Sequence, residues 1–273
     1  MTGRAAGRPV AAGILTAVLA LGGLAAACSP QSSTIGGPGT ELTVLAAASL
    51  LDPLTAIATA YEAASGVRLV MVTDSSTALR IQVEEGARAD VFLSADTANP
   101  ETLAAAGRTD GAVVPFAGNP LAIVIPAGNP AGITSPADLA RPGVAIVAAG
   151  EGVPVTTYAT TLLERLARLS GYPSDLVQAY AANVVTREDN VRAALTKIEL
   201  GEGDAAIVYA TDAAGSIDAD TVAIPPAANV TATYGGAVLA GAMDLAAARA
   251  FLGWLAGPDG GAILASFGFV AVP

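Results

Sequence analysis

From Leu42 onward, short apolar runs of strand character alternate with segments of helical periodicity. That alternation restricts the chain to an α/β fold with mostly parallel sheets, because helices return the chain between strands that run the same way. The patterning predicts strands over 42–48, 67–73, 90–94, 113–117, 121–125, 144–147, 205–209, 221–224 and 236–239. It predicts helices over 52–64, 77–86, 99–106, 136–140, 156–170, 174–180, 189–200, 245–256 and 258–266. Near Gly118-Asn119-Pro120 and near Thr231–Gly236 the pattern turns extended and rich in Gly and Pro. A chain of this length divides naturally into two lobes. Two crossings at those points give lobe I (41–118 plus 235–273) and lobe II (119–234). The cleft between them would collect strand C-termini and helix N-termini, where open α/β sheets bind ligands.

Residues 1–27 read as a secretory signal peptide: Arg4 and Arg8 form a basic start, and Val10–Leu24 is apolar, small and uncharged. Ala25-Ala26-Ala27-Cys28 resembles a lipobox, although Leu24 stands four places before the cysteine rather than three. Lipidation of Cys28, the sole cysteine of the chain, is therefore expected, with residues 28–40 as a Ser/Gly/Pro tether. The run is too interrupted by Gly for a comfortable membrane span. Without a second cysteine no disulfide can staple the fold, and a chain of 273 residues can bury a core without one.

The net charge is −11, and loss of Arg4 and Arg8 with the leader moves it to −13. So acidic a surface argues against nucleic acid as a partner. It also means that any anion must be held by local dipoles against an unfavourable overall field.

Two of the strand-like runs each deliver serine to a helix start. Thr43–Ala48 leads to Ser49, and Leu69–Thr73 leads to Ser75 and Ser76. A helix start carries unpaired N–H groups and roughly half a positive charge. A hydroxyl beside them makes an anion site without Lys or Arg. The plain alternative for each serine is an ordinary helix cap. Either Asp52 caps a helix that begins at Pro53, or Ser49 caps it with Asp52 three places on. Gly150–Thr156 (GEGVPVT) forms a third candidate, whose glycines allow close backbone approach and whose Val155 can offer only its N–H. In Glu188–Arg192, Asp189 or Asn190 can cap the next helix and leave the Val191 N–H open, while Arg192 is expected to face solvent. Ala205–Asp212 is a buried strand ending in Tyr209, whose hydroxyl can donate to an oxyanion or sit in water.

Enzymatic chemistry finds little support. The chain has no histidine, no Ser-x-x-Lys following Ser49 and no Gly-x-Ser-x-Gly elbow. No Walker loop or dinucleotide fingerprint occurs. Bare metal cations lack His, Cys or calcium-loop carboxylate spacing. A binding protein without a cofactor fits better than an enzyme.

Thr43–Leu50 (TVLAAASL), Ala89–Asp96 (ADVFLSAD), Gly118–Ile125 (GNPLAIVI), Glu188–Leu195 (EDNVRAAL), Ala206–Asp212 (AIVYATD) and Phe267-Gly268-Phe269 together resemble the periplasmic molybdate-binding proteins of ABC transporters. The resemblance runs in order from about Leu42 to Phe269. It implies the type II periplasmic-binding-protein fold, two α/β lobes that close on a ligand, in a monomeric extracytoplasmic protein serving a membrane permease. It implies a tetrahedral oxyanion, molybdate or tungstate, held by hydrogen bonds from Ser49, Ser76, the N–H of Val155, the N–H of Val191, and Tyr209. Sulfate or another tetrahedral oxyanion is the alternative ligand. The stretch before ADVFLSAD is one residue longer than in some relatives, which leaves Ser75 or Thr77 as substitutes for Ser76. The family often has Ala or Gly where Val155 stands.

Overall fold

The computed structural model describes residues 39–272. The leader, Cys28 and the tether up to residue 38 lie outside the described residues. Nine strands are described: β1 (Glu41–Ala47), β2 (Arg68–Asp74), β3 (Val91–Ser94), β4 (Val114–Pro126), β5 (Ile146–Ala149), β6 (Val184–Glu188), β7 (Ala206–Tyr209), β8 (Ala219–Val222) and β9 (Thr231–Val238). The α-helices are α1 (Leu51–Ser65), α2 (Ser76–Glu84), α3 (Ala98–Ala105), α4 (Pro154–Ala167), α5 (Leu176–Ala182), α6 (Val191–Glu199), α7 (Ala210–Gly215), α8 (Leu245–Leu255) and α9 (Pro258–Ser266). The expected helix over 136–140 is a 3-10 helix with a capping box built by Ser135 and Asp138.

One sheet runs β2-β1-β3-β9-β4-β7, with β8 also on β4, and a second pairs β5 with β6. Parallel pairing, expected for most of the sheets, holds for β1–β2, β1–β3 and β5–β6. The pairings of β9 with β3 and of β4 with β7, β8 and β9 are antiparallel. The difference arises because β4 and β9 run against the strands beside them. The core is mostly aliphatic, with Leu42, Val44, Leu93, Ile123 and Val147 fully buried beside the aromatic Phe92 and Phe251.

The strands expected over 113–117 and 121–125 are one strand of 13 residues. Gly118-Asn119-Pro120 does not break it, for two reasons. Gly118 exchanges backbone hydrogen bonds with Val270 at 2.7 and 2.9 Å. A Cβ at Gly118 would meet Val270 Cγ2 at 2.8 Å and the Ala271 carbonyl at 2.9 Å, so only glycine permits the approach. Asn119 is fully buried, and its amide is anchored by side chains described below. β4 thus carries the chain from pairing with β9 to pairing with β7 and β8.

β6 and α7 were not expected. β6 is a short strand paired only to β5, half-exposed in alternation, and its Thr-Arg-Glu end hides the pattern. α7 has six residues, too few for a periodic signal.

Candidate functional site

The first junction lies after β1. Ala48–Leu50 form a 3-10 turn that contains Ser49, and α1 follows at Leu51. Neither start has a side-chain cap, so the expectation that Ser49 or Asp52 caps this helix is corrected. Pro53 is the third residue of α1, where its missing N–H costs nothing. Ser49 is buried, and its Oγ lies 2.7 Å from the hydroxyl of Tyr234 on β9. Asp52 instead meets Arg192 at 3.0 Å.

The second junction lies after β2. Ser75 is the N-cap of α2, its Oγ accepting from the Ala78 N–H at 3.2 Å. The helix therefore begins at Ser76, one residue before the expected start. Ser76 is 1% exposed, and its Oγ accepts from the Ala95 N–H at 3.0 Å. Thr77 points its hydroxyl to the Gly152 carbonyl, 2.6 Å away, and so joins α2 to the 150–153 loop.

The facing wall is made of helix starts. Val153 precedes α4 in extended conformation and Pro154 is its first residue, which places the Val155 N–H in the open first turn. The Val155 side chain packs into a separate, mostly apolar cavity with Ala149, Ala159 and Leu163. Asn190 caps α6 by accepting from the N–H groups of Arg192 and Ala193, both at 3.1 Å. Val191 is the first helical residue, so its own N–H stays outside the helical ladder. Among the described residues no hydrogen bond engages the N–H of Ser76, Val155 or Val191. Tyr209 ends β7, is 1% exposed, and its hydroxyl has no partner among the described residues. Burial holds the phenols of Tyr209 and Tyr234 well above their ordinary range, so both remain protonated donors.

These pieces meet at one small cavity. Ser49, Ser75, Ser76, Val191 and Tyr209 line it, with Val153 and Pro154 leading into the Val155 amide. Thr77 and Val155 are not among its lining. Among the described residues no Lys, Arg, Asp or Glu lines it either. What it presents is a set of neutral O–H and N–H donors, suited to a small anion that carries no proton of its own.

Three residues behind Ser49 escaped the sequence reading as site residues. Tyr234 receives the Asn119 Nδ2 at 3.2 Å, and the same amide lies 2.8 Å from Thr211 Oγ1. Asn119 and Tyr234 fall in the two extended segments marked as crossings, which was the only available signal. Arg192, expected in solvent, bridges Asp52 at 3.0 Å and Asp212 at 3.4 Å. Burial pushes the Asp212 carboxyl up to about 7, although Arg192 pulls the other way. Among the described residues no group of His, Cys, Asp and Glu could hold a metal ion, and no helix is long and apolar enough to cross a membrane.

A family model described as bacterial extracellular solute-binding protein matches residues 42–270, and the chain belongs to that family. It is a solute-binding protein rather than an enzyme. It is 35% identical over 262 residues to the molybdate-binding protein ModA of Mycobacterium tuberculosis H37Rv, covering 94% of this chain and 96% of the relative. The periplasmic molybdate-binding protein of Azotobacter vinelandii superposes with TM-score 0.71 at 24% identity, over 85% of this chain and 100% of that one. The sulfate-binding protein SubI of M. tuberculosis H37Rv gives TM-score 0.74 at 25% identity, over 85% and 87% of the two chains. The fold is the type II periplasmic-binding-protein fold that the sequence resemblance implies.

Proposed function

We propose that this protein captures molybdate, and tungstate with it, and presents the oxyanion to an ABC importer. The observation that carries the reading is the buried Tyr209 hydroxyl without a partner, on a cavity that also gathers Ser49, Ser76 and the open amides at the starts of α2 and α6. A buried unpaired hydroxyl costs about 1–3 kcal/mol, so it calls for a ligand to accept from it. Similarity to molybdate-binding relatives over nearly the whole chain supports the choice of oxyanion. The ligand donors in this reading are Ser49, Ser76, the Val155 N–H, the Val191 N–H and Tyr209. Ser75 serves as the cap that aims α2, and Thr77 as the tie to the 150–153 loop.

Selectivity follows from the donor set. A ring of donors satisfies a fully ionised dianion, but leaves the proton of hydrogen phosphate without an acceptor. Molybdate, tungstate and sulfate are all tetrahedral dianions, so size decides among them. In this reading residues 41–118 plus 235–273 and residues 119–234 act as lobes that close on the ligand, and closure is what the permease detects. The protein works as a monomer outside the cytoplasm, held to the membrane by lipid on Cys28.

Calorimetric titration of the purified protein with molybdate, tungstate, sulfate and phosphate tests the assignment. Tight binding of molybdate and tungstate, weak binding of sulfate and none of phosphate is the expected order. Sulfate is the second reading, favoured by the similarity to SubI. Preference for sulfate would replace molybdate with it.

A further inference from the structure

Behind Ser49 lies a chain of buried hydroxyl and amide groups whose protons can be assigned by counting donors and acceptors. Asn119 Nδ2 has two hydrogens, while its buried Oδ1 has no partner among the described residues. One hydrogen faces Thr211 Oγ1 at 2.8 Å and the other faces the Tyr234 oxygen at 3.2 Å. Tyr234 is fully buried, and its hydroxyl carries one proton of its own. Having accepted from Asn119, that hydroxyl has one further partner within reach among the described residues, Ser49 Oγ at 2.7 Å. Tyr234 therefore donates to Ser49, since the reverse would leave a buried phenol proton unpaired. Ser49 is then an acceptor on its protein side, and its single proton is free for the cavity.

We propose that Tyr234 is a positioning residue that commits Ser49 to donate to the bound oxyanion, with Asn119 fixing the direction of the relay. The inference rests on the functional reading above and deepens it: the selection of a proton-free dianion is set partly behind the cavity. Ser76 reaches the same state by another route, because the Ala95 N–H occupies its acceptor side. Ser49 and Ser76 are thereby both held as donors. Hydrogen bonds in such a chain also polarise one another, which strengthens the terminal donor.

The amide orientation makes the idea easy to overturn. Were the oxygen of Asn119 to face Tyr234, the phenol would donate to it, Ser49 would donate to the phenol, and the ligand would lose a donor. Molybdate titrations of wild type, Ser49→Ala, Tyr234→Phe and the double variant separate the two directions, with unliganded melting curves as a control on folding. The relay predicts that Tyr234→Phe weakens binding roughly fivefold to twentyfold, and that the same change does almost nothing once Ser49 is alanine. Unchanged or tighter binding by Tyr234→Phe in the presence of Ser49 would overturn it, as would an equal loss in both backgrounds. If Tyr234→Phe fails to fold, Asn119→Leu removes the directing donor while keeping the phenol, and a smaller loss that again depends on Ser49 is expected. A loss independent of Ser49 would refute the relay. A wild type that binds molybdate, with Ser49→Ala weakened and Tyr234→Phe unaffected, overturns the relay alone. A wild type that binds no oxyanion overturns the functional reading and the relay together.

Discussion

Ser49 and Ser76 occupy the same place in the chain, each following a strand of one parallel pair and each opening a helical segment. They are held in different ways. Ser76 stands in a frame made mostly by its neighbours: Ser75 caps the helix, and a backbone N–H from the next strand-to-helix loop occupies its oxygen. Ser49 caps nothing, and its partner is a tyrosine 185 residues further along the chain. Position after a strand therefore predicts where a hydroxyl goes, while what aims it is a separate matter. A backbone amide cannot be mutated away or rotated, whereas a phenol can do both.

Substitution breaks this comparison most sharply at Ser76. Ser76→Ala removes a ligand donor and strands the Ala95 N–H in a buried site. The expected result is a loss of about 1–3 kcal/mol in molybdate affinity together with a stability loss of about 1–3 kcal/mol, measured by calorimetry and by urea unfolding without ligand. Ser49→Ala should match the affinity loss, about 1–3 kcal/mol, with a smaller effect on stability because the Asn119 amide can turn its oxygen toward the freed Tyr234 proton. Equal stability losses for the two variants would remove the distinction between fixed and rotatable partners.

Ser75→Ala sharpens the comparison from the other side. It deletes the cap and should lower stability by about 1 kcal/mol, leaving affinity nearly unchanged. A large affinity loss with normal stability would move the ligand contact from Ser76 to Ser75.

A dependence on pH is expected behind the Ser49 junction. The Asp212 carboxyl, ordinarily near 3.8, is raised by burial to about 7 in the folded protein. The folded chain thus holds this proton more tightly than the unfolded chain. Its contribution is fully present below pH 3.8, falls as pH rises through that window, and is lost above about pH 7. Melting temperatures of wild type and Asp212→Asn between pH 4 and 8 check this. The wild-type value should decline relative to the variant up to about pH 7 and run parallel above it. Parallel curves throughout would mean that Arg192 keeps the carboxylate charged at every pH.

Much of this site was legible in the chain because it is built from local rules. Strand patterning placed β1, β2 and β7 to within a residue or two, and cap chemistry narrowed the α6 cap to Asp189 or Asn190 and left the Val191 amide open. Features that depend on distant partners were not legible. Arg192 looks like a solvated helix residue until α6 packs near Asp52 and Asp212. Gly118-Asn119-Pro120 looks like a break until Val270 and Tyr234 are seen against it.

The sequence by itself determined the α/β class, the family resemblance, the absence of charged groups from the candidate donor set, and the helix starts that carry the open amides. Those properties come from contacts within a few residues, so they are written in short segments. Only the tertiary structure decided that Ser49 answers to Tyr234 and Asn119, that Arg192 is shared by two acids, and that β4 runs unbroken through its Gly-Asn-Pro step. Each of these depends on burial, which removes water as a competing partner and forces distant polar groups to satisfy one another.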